Sequence, residues 1–233
     1  MYDAFLRLIH DNYDREKELK STPKSQVWRL RHKKSGRPYL FRLYEGSGQV
    51  YRRLLGVSCP HLPRILDLAE EDGKVAVLEE YVNGDTLDFL LEGGPLPPDL
   101  ARSVALQVCR GLYVLHSLDA VHRDVKPENV ILRGDEAVLI DFDASRVIKA
   151  EQGRDTVVLG TTGYAAPEQY GISQTDGRAD IYSLGVMLNI MLTGRHPSRD
   201  LASGKLGRVV QRCTQINPRK RYKSILDLME DLQ

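Results

Sequence analysis

The sequence predicts an α+β protein of two unequal parts: a small antiparallel-sheet part over residues 1–82 and a larger, mainly helical part over 83–233. Three observations carry this. Short alternating runs separated by turn residues fill the first third. After Asn83-Gly84 the apolar residues recur at helical spacing instead. A hydrophobic content of 42% in 233 residues is enough for a packed core and argues against disorder.

Phe5, Leu6, Leu8 and Ile9 fall at helical spacing and predict a short helix over Tyr2–His10. Strand texture runs from Lys17 to Tyr44. Val27–Leu30 and Tyr39–Leu43 form a hairpin about the turn Lys33-Lys34-Ser35-Gly36. A short helix is expected over Gly48–Leu55, with Pro60 and Pro63 breaking the chain after it. Two strands follow, over Ile65–Ala69 and Val75–Glu80, joined at Asp72-Gly73. The longest helix spans Asp99–Leu118, with Leu100, Val104, Leu106, Val108, Leu112 and Leu115 as its apolar face. Pro97 and Pro98 stand at its start, where a proline costs no helix bond. Further helices are predicted over Asp180–Thr193, stopped by Gly194, and over Ser224–Leu232.

Charge narrows the function classes. The 33 basic and 32 acidic residues leave a net charge of +1, which supplies no field for a nucleic-acid partner. Cys59, Cys109 and Cys213 show no metal spacing and are read as reduced thiols. No apolar run reaches the length of a bilayer span, and Met1-Tyr2-Asp3 does not begin a signal peptide, so a cytoplasmic location is expected.

The segment His122-Arg123-Asp124-Val125-Lys126-Pro127-Glu128-Asn129 resembles, at every motif position, the catalytic loop of protein kinases. Ile140-Asp141-Phe142-Asp143 resembles the metal-binding turn of that family, with Asp143 in place of glycine. Gly160-Thr161-Thr162-Gly163-Tyr164-Ala165-Ala166-Pro167-Glu168 resembles the end of its activation segment. The wording around Pro167–Gly171 is closest to the bacterial, eukaryotic-type Ser/Thr kinases. The resemblance covers nearly the whole chain; it is strong from His122 to Gly185 and weak before Glu79.

The resemblance implies a two-lobed kinase fold using ATP and Mg²⁺, with a protein as substrate. Phosphoryl transfer needs a carboxylate for the acceptor hydroxyl, a cation near the moving phosphoryl group and oxygen ligands for the metal. Asp124 and Lys126 match the first two roles, and Asn129 and Asp141 the metal ligands. Val27, Leu40, Arg42, Glu80, Val82 and Ile131 match nucleotide-contacting positions. The resemblance further implies a hydroxyl on Thr161 bonded to the catalytic loop, a buried Glu168–Arg221 pair, and Asp180 supporting the loop backbone. Thr156 is the expected autophosphorylation site. His116, His122 and Trp28 are read as structural, and Lys33-Lys34 and Arg52-Arg53 as solvated.

The first third departs from the family. Lys20, Thr22 and Ser25 occupy the three glycine positions of the phosphate-covering loop, and Pro23 removes an amide donor. Arg42 replaces the strand lysine, and Leu40 replaces a small residue beside the base. Val50 stands where a helix glutamate should pair with that lysine. Asp143 implies a stiffer turn than glycine would. A pairing of Arg42 with Glu79 is expected instead, because a semi-buried charge needs compensation. Two functions stay open: a Ser/Thr protein kinase, slowed or conditional, and a pseudokinase that binds or regulates protein partners.

Overall fold

The computed structural model describes residues 1–148, 161–170 and 176–233. The chain divides into two compact units, Met1–Val82 and Asn83–Gln233.

In the first unit, helix α1 (Tyr2–Asn12) buries Tyr2, Phe5 and Ile9, one side of the helix. Lys33, exposed as expected, also caps its end. Its ammonium donates to His10 O at 2.9 Å and Asp11 O at 3.0 Å, two carbonyls at the negative end of the helix. Strands β1 (Tyr13–Thr22), β2 (Ser25–His32) and β3 (Pro38–Glu45) follow, then helix α2 (Gln49–Leu54) and strands β4 (Ile65–Glu71) and β5 (Lys74–Glu80). They form one antiparallel sheet in the order β1-β2-β3-β5-β4. Strand texture begins at Tyr13, before Lys17, because charged β1 carries no alternation: every residue after Tyr13 is exposed.

Alternation gives the sheet two faces. On one, Trp28, Leu30, Phe41, Ala76 and Leu78 pack against Phe5 and Ile9 of α1. Trp28 stacks on Phe41 at 6.1 Å, with the Arg15 guanidinium 4.6 Å above its ring. Each large side chain buried here contributes about 1.5–3 kcal/mol. On the other face, Val27, Arg42 and Val77 lie in one cross-strand row, and Arg29, Leu40 and Glu79 in the next. Helix α2 covers part of this face, with Tyr51 tilted against Tyr44 at 5.9 Å. It is six residues long, and Val50 is buried in it.

In the second unit, β6 (Asp85–Thr86) and α3 (Leu87–Leu91) lead to α4 (Pro98–Ser117) and β7 (Ala120–Val121). Strands β8 (Val130–Arg133), β9 (Glu136–Leu139) and β10 (Arg146–Val147) precede α5 (Gly177–Thr193), α6 (Gly204–Cys213) and α7 (Ile225–Leu232). One small sheet has the order β6-β8-β9, and β7 pairs with β10. Helix α5 is the core of this unit: 11 of its 17 residues are buried, on all sides. It begins at Gly177, earlier than Asp180, because Asp176 caps it by accepting from Arg178 N at 2.9 Å. Gly194, at φ 70°, ends it in the left-handed conformation. Ser224 and Asp227 form a reciprocal cap at the start of α7. Cys109 and Cys213 are buried free thiols, and Cys59 is a half-buried one. Among the described residues no helix is long and apolar enough to cross a membrane.

Candidate active site

The loop after β7 is held by the first turn of α5. Asp180, fully buried, accepts from His122 N at 2.9 Å and Arg123 N at 2.8 Å. The His116 ring bonds its Oδ2 at 2.8 Å. Arg123 has φ 69°, a left-handed conformation disfavoured for a side-chain-bearing residue. Two charge-assisted bonds from Asp180 offset that strain. Gln169 closes the other side, its Nε2 donating to Arg123 O at 2.8 Å and its Oε1 accepting from Ala166 N at 3.0 Å. Gln169 stands in the Pro167–Gly171 run, but nothing in the sequence pattern assigned it a task.

Asp124 is the centre of the loop. Thr161 donates its hydroxyl to Oδ1 at 2.7 Å. Lys126 Nζ lies 2.9 Å from Oδ2, and Asn129 Nδ2 donates to Oδ2 at 3.0 Å and to Asp124 O at 2.9 Å. Lys126 also donates to Thr161 Oγ1 at 2.7 Å, which closes a triangle of carboxylate, ammonium and hydroxyl. Burial alone would push the Asp124 carboxyl up. The hydrogen bonds from Thr161 and Lys126, with the Lys126 charge, outweigh it and hold the group below its ordinary value.

Asp141 is tied to this cluster through the backbone: Ile140 N donates to Asn129 O at 2.9 Å, and the His122 ring bonds Ile140 O at 3.1 Å. Phe142 is buried with its ring edge-on to His122 at 5.5 Å. The positive φ in this turn, 67°, belongs to Asp141, so no glycine-like conformation is asked of Asp143. Asp143 N instead donates to Asp141 Oδ1 at 3.3 Å. Farther from the loop, Glu168 and Arg221 form the expected buried pair, two-pronged at 2.6 and 2.9 Å. Thr156 and Gly160 lie outside the described residues.

The first unit holds a separate group of expected site residues. Arg42 donates to Glu79 Oε1 from Nε at 3.3 Å and from a terminal nitrogen at 3.2 Å, and the two side chains are 4% and 3% exposed. The pairing is a cross-strand diagonal, since Arg42 faces Val77 and Glu79 sits two residues on. Val27 and Leu40 share that sheet face. Glu80 alternates to the other face, its carboxylate accepting from Arg64 N at 3.1 Å. Val82 is buried at the end of this unit. Ile131 belongs to the second unit, on β8, paired with Thr86.

The donors fit a hard divalent cation on one side only. Asn129 and Asp141 offer oxygens, too few for a closed cage, which suits a cation that keeps waters and shares phosphate oxygens. The tip between β1 and β2 does not fit a phosphate cradle. Thr22 Oγ1 takes Ser25 N at 3.0 Å, Thr22 and Ser25 pair directly, and Pro23 has no amide hydrogen.

Residues 50–231 match the protein kinase domain family, leaving α1 and β1–β3 outside the match. The chain is 37% identical over 154 residues to the serine/threonine-protein kinase pkn2 of Myxococcus xanthus, covering 63% of this chain and 19% of that protein. It is 38% identical over 139 residues to the serine/threonine-protein kinase PknL of Mycobacterium tuberculosis, covering 58% and 35%. To the serine/threonine-protein kinase A of Synechocystis it is 33% identical over 159 residues, covering 62% and 30%. It thus spans a third or less of the length of most of these relatives and 35% of PknL. The fold and the loop are those of the protein kinase class. The chain belongs to the protein kinase domain family.

Proposed function

We propose that the chain is a Ser/Thr protein kinase domain acting in the cytoplasm, transferring the terminal phosphoryl group of ATP to hydroxyls of a protein substrate with Mg²⁺. The observation that carries this is the closed Asp124–Lys126–Thr161 triangle with Asn129 attached. A carboxylate held ionised beside a hydroxyl is what orients an acceptor hydroxyl and takes up its proton. Thr161 marks the direction from which a hydroxyl meets Asp124. Lys126 supplies the cation beside the transferred group. Asn129, fixed by Asp124, and Asp141 would hold the metal. When bound, ATP·Mg²⁺ supplies the phosphoryl group and neutralises its charge. We assign Arg42 to the nucleotide phosphates, held by Glu79 in place of a helix glutamate. Within the first unit, Val27, Leu40 and Val82 contribute apolar contacts to the base, and Glu80 contributes its backbone. Without a phosphate cradle at the β1–β2 tip, the ATP requirement rises.

A pseudokinase is the weaker reading, since a scaffold has no chemical use for the assembled triangle. The two are separated by transfer of labelled γ-phosphate from ATP·Mg²⁺ to the chain and to a basic acceptor protein. The kinase reading expects label on Ser or Thr that disappears in Asp141→Ala. No label on either acceptor would leave the protein-binding module.

A further inference from the structure

The second unit carries an open cavity of about 680 Å³ lined by Gly163, Gly194, Arg195, His196, Ser198 and Arg199. Its loop is built rigidly. Asn189, fully buried in α5, donates to Arg195 O at 2.8 Å and Asp200 O at 2.7 Å, and accepts from Ala202 N at 2.9 Å. Thr193 Oγ1 accepts from Arg195 N at 3.1 Å, and Arg199 N donates to His196 O at 2.9 Å. A buried amide side chain is costly unless bonded, and here its bonds fix both ends of the turn 195–200. The His196 ring bonds Gly163 O at 3.0 Å through one nitrogen and Ser198 Oγ at 2.7 Å through the other. The cavity is therefore joined to the segment that carries Thr161.

Arg195 and Arg199 are exposed, and neither side chain has a hydrogen bond or ion pair among the described residues. The acid next in sequence, Asp200, does not line the cavity. Two guanidinium forks with no partner among the described residues, on one fixed turn, match an oxyanion better than any neutral group. We propose that this cavity docks an anionic oxygen group of the acceptor polypeptide, a phosphoryl or a carboxylate, away from the hydroxyl that is modified. The proposal rests on the reading of the chain as a protein kinase only in taking the ligand to be a polypeptide.

Binding without nucleotide tests it separately from catalysis. Fluorescent serine peptides would carry one phosphoserine, glutamate or glutamine, moved through the positions on either side of the serine, with affinity read by anisotropy. We expect the best phosphoserine peptide to bind about tenfold tighter than its glutamine counterpart. Arg195→Ala/Arg199→Ala should abolish the difference, and Arg195→Lys/Arg199→Lys should keep part of it. Preference for glutamate as well would identify an acidic acceptor; preference for phosphoserine alone would identify one already phosphorylated. Equal binding of anionic and glutamine peptides by the unaltered chain would overturn the proposal, as would a preference that survives in the folded alanine variant. If label transfer fails while the anionic preference holds, the kinase reading falls and the docking site stands.

Discussion

Asp124 shows at the scale of one residue how environment sets chemistry. Burial alone would favour its protonated form, yet the hydrogen bonds from Thr161 and Lys126 and the charge of that same Lys126 keep it ionised. Its folded pKa lies below the unfolded value, so it contributes stability above the unfolded pKa of about 3.9, lost as pH falls through the folded value. Thr161→Val removes one donor. Carboxyl NMR titration should show the Asp124 midpoint rise in that variant, and an unmoved midpoint would mean the hydroxyl bond does not contribute. Arg42 and Glu79 pose the opposite problem, a buried charge pair in which each needs the other. Glu79→Gln should lower stability to urea by roughly 3–5 kcal/mol, while Arg42→Met/Glu79→Leu should recover much of the loss. Equal destabilisation by the single and double variants would show that the pair is not the unit that matters.

At the scale of the element, α5 is both core and scaffold: it presents Asp180 to the catalytic loop, Ser183 to Tyr164 O at 2.9 Å, and Asn189 to the turn that follows it. Asp180→Ala removes two charge-assisted backbone bonds and frees the strained Arg123 peptide. The expected cost is roughly 3 kcal/mol or more, seen as a lower denaturant midpoint, with slower phosphoryl transfer. Gly194→Ala places a side chain at φ 70° and should cost about 1 kcal/mol in the same experiment. Elements with strong signals were legible: the long α4, the β2–β3 hairpin and the glycine stop of α5. Helix α6 was not. Its buried side is Gly207, Val209, Val210 and Cys213, and two glycines with three basic residues mask that stripe. Gly207 is itself required, since a Cβ there would come 1.9 Å from Ala202 O.

At the scale of the whole molecule, the two units differ in how closely they follow the family. The second was legible from its motif residues, because Asp124, Lys126, Asn129 and Thr161 must meet at fixed spacing for the chemistry to work. What stayed hidden there were residues that act on backbone, Gln169 and Asn189, whose partners are carbonyls and amides with no sequence identity. In the first unit the departures were visible but their resolution was not, apart from the Arg42–Glu79 pair, which charge compensation pointed to. The β1–β2 tip could be read as lacking glycines; that Thr22 takes up Ser25 N is visible only in three dimensions.

The role proposed for Asp124 is that of the acceptor-side carboxylate of an active phosphoryl transfer. Its most direct test is the rate of γ-phosphate transfer by Asp124→Asn against the unaltered chain at saturating ATP·Mg²⁺. A fall of about 10²–10⁴-fold is expected, with nucleotide affinity kept, because an amide cannot take up the hydroxyl proton. Transfer by Asp124→Asn at the rate of the unaltered chain would contradict the account.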